Sequence, residues 1–254
     1  MPRLNIDGQI RSTHDLITRE IAKRILGEVY VAGDTLPNEG DLIDEFRVSR
    51  TALRESLKTL AAKGLVVAKT KIGTRVLPSA FWNYFDPQVL SWRLELGVDS
   101  EFLVRLYEVR QALEPAAAAM AAVRRTPENI ERMEQFLDQM DQKHATRQTY
   151  AEPDLWFHQE ILMASHNPFI QSFGSIIEAS ILCAFEISAP IDSPERQALS
   201  ISRHKLILDR IKERNAAGAS EAMSDVIVEG IGNAHISMGN SPIIVSLPLS
   251  SAIP

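Results

Sequence analysis

Residues 38–76 read NEGDLIDEFRVSRTALRESLKTLAAKGLVVAKTKIGTRV, and this stretch decides the fold. Asn38 is a helix N-cap residue. Glu39 and Asp41 follow it in the electropositive first turn, so the spacing predicts a short helix that buries Leu42, Ile43 and Phe46. Only Arg47-Val48 separates that helix from Ser49, which caps the next one. Its apolar stripe is Leu53, Leu57 and Leu60, and Gly64 stops it at the C′ position. The period then changes. Leu65-Val66-Val67 is a β-rich run, Lys69 to Gly73 is a turn, and Thr74 to Leu77 is a second run, which together predict a β-hairpin.

Working upstream, Ser12 opens a capping box with Asp15. Leu16, Ile17, Ile21, Ile25 and Val29 recur at helical spacing, predicting a helix over about 13–30. Gly33-Asp34 and Leu36-Pro37 form a turn. Three helices and a hairpin within residues 1–78 have the layout of a winged helix-turn-helix, with a tight turn between its second and third helices.

Charge supports this layout. The chain of 254 residues has a net charge of −6, which taken whole argues against an anionic partner. Residues 1–78, however, hold 13 Lys and Arg against 10 Asp and Glu, whereas the remainder is strongly acidic. The basic residues sit where a DNA reader needs them. Ser49, Arg50, Thr51, Arg54 and Lys58 open the third helix, and recognition helices contact base edges with their N-terminal residues. Arg is bidentate to guanine, while Ser and Thr reach bases or phosphates. Lys69, Thr70, Lys71, Gly73, Thr74 and Arg75 form the hairpin tip.

The ordered pattern Gly33-Asp34-Thr35-Leu36-Pro37-Asn38-Glu39, Leu42, Phe46, Val48-Ser49-Arg50-Thr51-Ala52-Leu53-Arg54-Glu55-Ser56-Leu57, Leu60, Gly64-Leu65-Val66 and Gly73-Thr74-Arg75-Val76 resembles the DNA-binding domain of GntR-superfamily regulators. The resemblance implies that Arg47, Arg50, Arg54 and the wing around Lys71 and Gly73 touch DNA. Lys71-Ile72-Gly73 departs from the Arg-x-Gly of many members.

Downstream, 79–98 is expected to be a connector with aromatic anchors and a short helix started by Asp86-Pro87. Residues 99–239 read as helices throughout. Asp99 or Ser100 caps a helix that Pro115 bends, and Thr126-Pro127 starts the next. Pro153 starts another over about 153–165, Asn167-Pro168 precedes one running to about 188, and Pro194 and Ala217 open the last two. The fold class is therefore mainly α: a winged helix-turn-helix followed by an all-helical antiparallel bundle. The tail, 240–254, is uncharged and has no assigned role.

Polar residues on these apolar helices mark a candidate site. Asp154 and His158, four apart, share one helix face. Arg110 and Glu114 do the same beside a Leu stripe. His204 lies beside Leu206, Ile207 and Ile211. Buried polar groups are costly without partners, so such a set is either a satisfied network or a binding site. His144, His166 and His235 read as surface or joint residues.

Arg110-x-x-x-Glu114-Pro115, Asp154-x-x-x-His158, Asn167-Pro168 and His204-Lys205-x-x-Leu208, in that order, resemble the FCD ligand domain of the FadR-type GntR branch. The resemblance implies a divalent metal held by an Asp and three His, with a carboxylate effector completing its sphere. Asp154, His158 and His204 match three ligand positions. Val226 stands at the fourth and cannot ligate. Three protein ligands suffice when water or a ligand fills the open position, and a mixed Asp/His set suits zinc first, with manganese or nickel as alternatives. Arg110 is matched to an effector carboxylate by its planar fork. Trp82-Asn83-Tyr84, Asp86, Val89-Leu90, Trp92 and His166-Asn167-Pro168 are similar to repressors responding to D-galactonate and related sugar acids.

The expected function is thus a DNA-binding regulator, not an enzyme. It is expected to act as a homodimer on operator DNA and to be released by a sugar-acid effector. The alternative is a metal-dependent enzyme or binding protein built on Asp154, His158 and His204. One cysteine, Cys183, removes disulfide frameworks and thiolate metal clusters and fits a reducing cytoplasm. No apolar run approaches the ~18 residues of a membrane span.

Overall fold

The computed structural model describes residues 13–142, 146–187 and 190–238; Ser12, His144 and the tail 240–254 lie outside them. The chain divides into two compact units, the first ending at Leu96 and the second beginning at Gly97. No helix among the described residues is long and apolar enough to cross a membrane.

The first unit contains α1 (Thr13–Leu26), α2 (Glu39–Phe46), α3 (Arg50–Ala62), β1 (Val66–Lys69), β2 (Gly73–Val76) and α4 (Pro87–Glu95). Both expected caps form: Asn38 accepts from the Asp41 N–H and Ser49 from the Ala52 N–H. Ile17, Ile21 and Ile25 of α1 meet Leu42, Leu53, Leu60, Leu65 and Val76 in one buried core. Helix α1 stops earlier than its apolar pattern suggested. Glu28 turns left-handed (φ 59°), and the Val29 N–H returns to the Arg24 carbonyl at 2.8 Å. Val29, expected on the buried stripe, is consequently exposed; Leu16, near the start of the helix, is exposed as well.

The hairpin pairs Val66 with Val76 and Lys69 with Gly73. The segment read as a simple turn, residues 33–36, also flanks it as an edge. The Gly33 N–H donates to the Val76 carbonyl, the Leu36 N–H to that of Thr74, and the Val76 N–H to that of Asp34. Helix α4 belongs to this unit: Arg19 of α1 grips Glu95 through Nη2 at 2.6 Å, and Asp86 both caps α4 and accepts from Lys63 Nζ at 2.6 Å.

Gly64 is the tightest backbone position. Its φ is +76°, and a Cβ there would lie 2.0 Å from the Phe81 carbonyl oxygen. Gly64→Ala is therefore expected to destabilise this unit by about 3 kcal/mol or more, combining left-handed strain with forced displacement of backbone. Urea denaturation followed by circular dichroism checks this. An unchanged midpoint would show that the 64–81 contact relaxes freely.

The second unit is helical: α5 (Ser100–Arg124), α6 (Pro127–Met140), α7 (Arg147–Ala164), α8 (Pro168–Gln171), α9 (Gly174–Ile187), α10 (Pro194–Lys212) and α11 (Ala216–Met238). Buried Ala117, Ala118, Ala121 and Ala122 give α5 a small-residue face, and α5 lies along α11. Helix α5 stays one helix through Pro115. Two boundaries differ from expectation. Helix α7 begins at Arg147, not Pro153, because Thr146 and Thr149 form a capping box and the following turn buries Tyr150 and Ala151. These gains offset the backbone bond that an interior Pro removes. The helix expected from Pro168 to about 188 is broken after Gln171. Ser172 Oγ donates to the Phe169 carbonyl at 2.6 Å, satisfying backbone locally, and Gly174 restarts the helix.

Candidate functional site

In the first unit each of the seven DNA candidates is exposed: Arg47, Ser49, Arg50, Thr51, Arg54, Lys71 and Gly73. Arg47 takes the left-handed conformation (φ 53°) that ends α2, so its backbone makes the tight turn while its side chain faces solvent. Arg50 is the first residue of α3. Arg54, one turn on, is tethered by Glu39 through Nε at 3.1 Å. Lys71 (φ 65°) and Gly73 form the hairpin tip. Arg75, read as part of that basic tip, instead donates Nη2 to the Gly33 carbonyl at 2.7 Å and braces the edge segment.

In the second unit α5, α7 and α10 bring Arg110, Asp154, His158 and His204 together, all buried. The helical spacing places Asp154 and His158 on the same side of α7. Each imidazole is oriented from behind. His204 Nδ1 donates to the Ser200 carbonyl at 2.7 Å, and His158 Nδ1 bonds the Glu114 carboxylate. The two Nε2 atoms are thereby turned toward each other at 3.3 Å, and His204 Nε2 lies 3.0 Å from Asp154 Oδ1. Phe157, fully buried, meets the His204 ring edge-on at 5.4 Å between centroids and also contacts that of His158.

These atoms could hold a metal. The three ligand atoms lie within 4.8 Å of one another. Bonds of about 2.0–2.2 Å to one ion put neighbouring ligand atoms roughly 3–3.5 Å apart, as His204 Nε2 is from both His158 Nε2 and Asp154 Oδ1. A carboxylate or carbonyl behind each imidazole is the outer shell that such ligands use to fix their tautomer.

Electrostatics tie the set together. Burial opposes the charge on Glu114, but Arg110 and His158 overcome it and hold the carboxyl down at about 2. Burial likewise works against ionisation of Asp154 and His204. Each supplies the other's counter-charge, so Asp154 is lowered and His204 raised. Arg110 donates Nε to Glu114 Oε1 at 2.5 Å and lies over the Tyr107 ring at 5.2 Å. Burial pushes the Tyr107 phenol up to about 12, keeping it neutral.

The set lines a cavity of about 80 Å³ that Tyr107, Phe185, Arg196, Arg203, Val226 and Glu229 also border. Val226 thus occupies the wall where the resemblance called for a histidine. Sequence reading noted Glu114 only as the partner of Arg110. It missed Glu114's bond to His158, and it missed Tyr107, Phe157, Arg203 and Glu229 altogether. The helical spacing of Tyr107 and Arg110 was the one available signal.

Comparison with known proteins assigns a family to a segment of each unit. Residues 13–76 match the gntR family of bacterial regulatory proteins, and residues 105–229 match the FCD domain. The galactonate operon transcriptional repressor of Escherichia coli K12 is 32% identical over 213 residues, covering 84% of this chain and 93% of that protein. The transcriptional repressor NanR of Cronobacter sakazakii is 26% identical, covering 82% of this chain and 80% of its own. Among solved structures, that of Lar, which controls expression of the Listeria monocytogenes agr system, superposes with a TM-score of 0.60 at 18% identity, covering 90% of this chain and 99% of its own. That similarity shows a shared fold. The chain belongs to the GntR family of bacterial regulatory proteins, in the branch that carries an FCD domain, and is a DNA-binding transcriptional regulator.

Proposed function

We propose that the chain is a sugar-acid-responsive repressor that binds its operator as a homodimer and leaves it when a small carboxylate such as an aldonate occupies the cavity. One observation carries this reading: Asp154 Oδ1 and the Nε2 atoms of His158 and His204 converge on the cavity that Arg110 also lines. The relative named as a galactonate operon repressor supports the class of ligand.

Asp154, His158 and His204 would hold a divalent ion, zinc first, and Arg110 would face the carboxylate. The ion, when bound, supplies a Lewis-acidic charge that attracts a carboxylate and adjacent hydroxyl. Arg47, Ser49, Arg50, Thr51, Arg54, Lys71 and Gly73 would meet the operator. A dimer spaces two recognition helices about 34 Å apart, one DNA turn, so the operator is palindromic. The coupling is thermodynamic: a ligand that prefers the DNA-incompetent state lowers operator affinity, and the operator lowers ligand affinity by the same factor.

Isothermal titration of the full chain with D-galactonate, other aldonates and simple carboxylates tests this, before and after chelator. The expected result is saturable galactonate binding that chelator weakens at least about tenfold, that zinc restores, and that Arg110→Ala reduces. Equal binding with and without chelator ends the metal assignment. No response to any carboxylate ends the effector reading.

A further inference from the structure

Two spaces in the second unit meet at one ion pair. The inner cavity of about 80 Å³ is walled by Asp154, His158 and His204. Outside it, α10 and α11 frame a groove of about 560 Å³ lined by Leu206, Ala222, Asp225 and Val228. Among the described residues, Arg203 and Glu229 alone line both. They are joined through Arg203 Nη1 and Glu229 Oε2 at 2.5 Å, and their side chains are 34% and 28% exposed. This pair, one residue from each helix, is the partition between cavity and groove.

The sizes give the partition a consequence. Small-molecule sites run to about 300–1,000 Å³. The inner space of about 80 Å³ is small against that range, whereas cavity and groove together fall within it. The chemistry of the pair also selects what opens it. A carboxylate arriving in the groove can replace the Glu229 carboxylate on the Arg203 guanidinium, one like partner for another. A neutral or cationic solute offers no such exchange. Because both side chains are partly exposed, the pair is weakly held, unlike the buried Arg110–Glu114 pair behind it.

We propose that Arg203–Glu229 is the gate of the ligand cavity and that Arg203 is its anion-selecting residue, captured by the incoming carboxylate in exchange for Glu229. This rests on reading the cavity as the effector site. The test has one arm that needs no ligand. In chelator-treated full chain, diethylpyrocarbonate modification of His158 and His204 is timed by peptide mass spectrometry, with His14 and His166 as internal references. Glu229→Gln and Arg203→Gln are each expected to speed modification of the two buried histidines about fivefold relative to the references. The charge-swapped double variant Arg203→Glu/Glu229→Arg is expected to restore protection.

In the second arm, stopped-flow association of D-galactonate should fall about tenfold in Arg203→Gln but hold or rise in Glu229→Gln. Opposite directions in association with the same direction in histidine exposure is a pattern that mere loss of structure does not give. Histidine rates within twofold of wild type in both variants overturn the gate, as do equal association rates in the two variants. If the wild-type protein does not respond to galactonate, the effector reading fails and the histidine rates decide the gate alone.

Discussion

Arg50→Ala/Arg54→Ala is expected to lower affinity for the chain's own operator by about 100-fold or more, at about 1–3 kcal/mol per base-contacting arginine. Arg50 opens α3 behind the Ser49 cap, and Arg54 stands one turn later on the exposed side. Neither contributes to the core, which is built from Leu53, Ser56 and Leu60 of the same helix, so the variant should fold normally. Glu39 holds Arg54 in the free protein, so an Arg54 that reads DNA would have to leave that carboxylate. Glu39→Gln should therefore leave binding intact or strengthen it. Electrophoretic mobility shift at several salt concentrations separates base contacts from phosphate contacts. Loss of a base contact relaxes sequence preference, whereas loss of a phosphate contact lowers the salt slope. A double variant that binds as tightly as wild type removes α3 from the role of recognition helix.

Glu114→Gln should produce the largest loss of stability in the second unit. Its carboxylate is buried between the Arg110 guanidinium and the His158 ring. Removing its charge strands a buried cation and frees the imidazole to rotate. Breaking a buried pair from one side costs about 3–5 kcal/mol, while removing both partners costs much less. Arg110→Gln/Glu114→Gln should accordingly be more stable than Glu114→Gln alone, and urea denaturation of the three proteins checks the order. Glu114 is also the outer partner of His158. Zinc affinity by competition with a chromogenic chelator should drop about 10–100-fold in Glu114→Gln. Wild-type stability together with wild-type zinc affinity would show that Glu114 bridges nothing of consequence.

The two sites were legible in the sequence to different degrees. The reader domain was nearly complete on the page. Asn38 and Ser49 act on neighbours three residues on, so their effects are written in local spacing, whereas the close approach of the Phe81 carbonyl to Gly64 is not. What escaped was the edge formed by 33–36, whose hydrogen bonds run to strand residues some forty positions away. In the helical unit Asp154 and His158 were legible because four residues make one helical turn. Pro153 misled because an interior proline and an N-terminal one look alike until Thr146 and Tyr150 are placed. The break between Gln171 and Gly174 had no counterpart in the helical periodicity.

Alone, the sequence determined which segments are helices, where most are capped, which residues could read DNA, and that three potential ligands share one apolar bundle. Those properties follow from nearest-neighbour sterics, capping and periodicity. Only the tertiary structure decided which lone pairs face the cavity. Glu114 reaches His158 from another helix, Ser200 fixes His204, Phe157 packs edge-on to both rings, and Arg203 closes on Glu229 across α10 and α11. These contacts join positions far apart in the chain. Their strength comes from desolvation and alignment, which exist only once the helices have assembled.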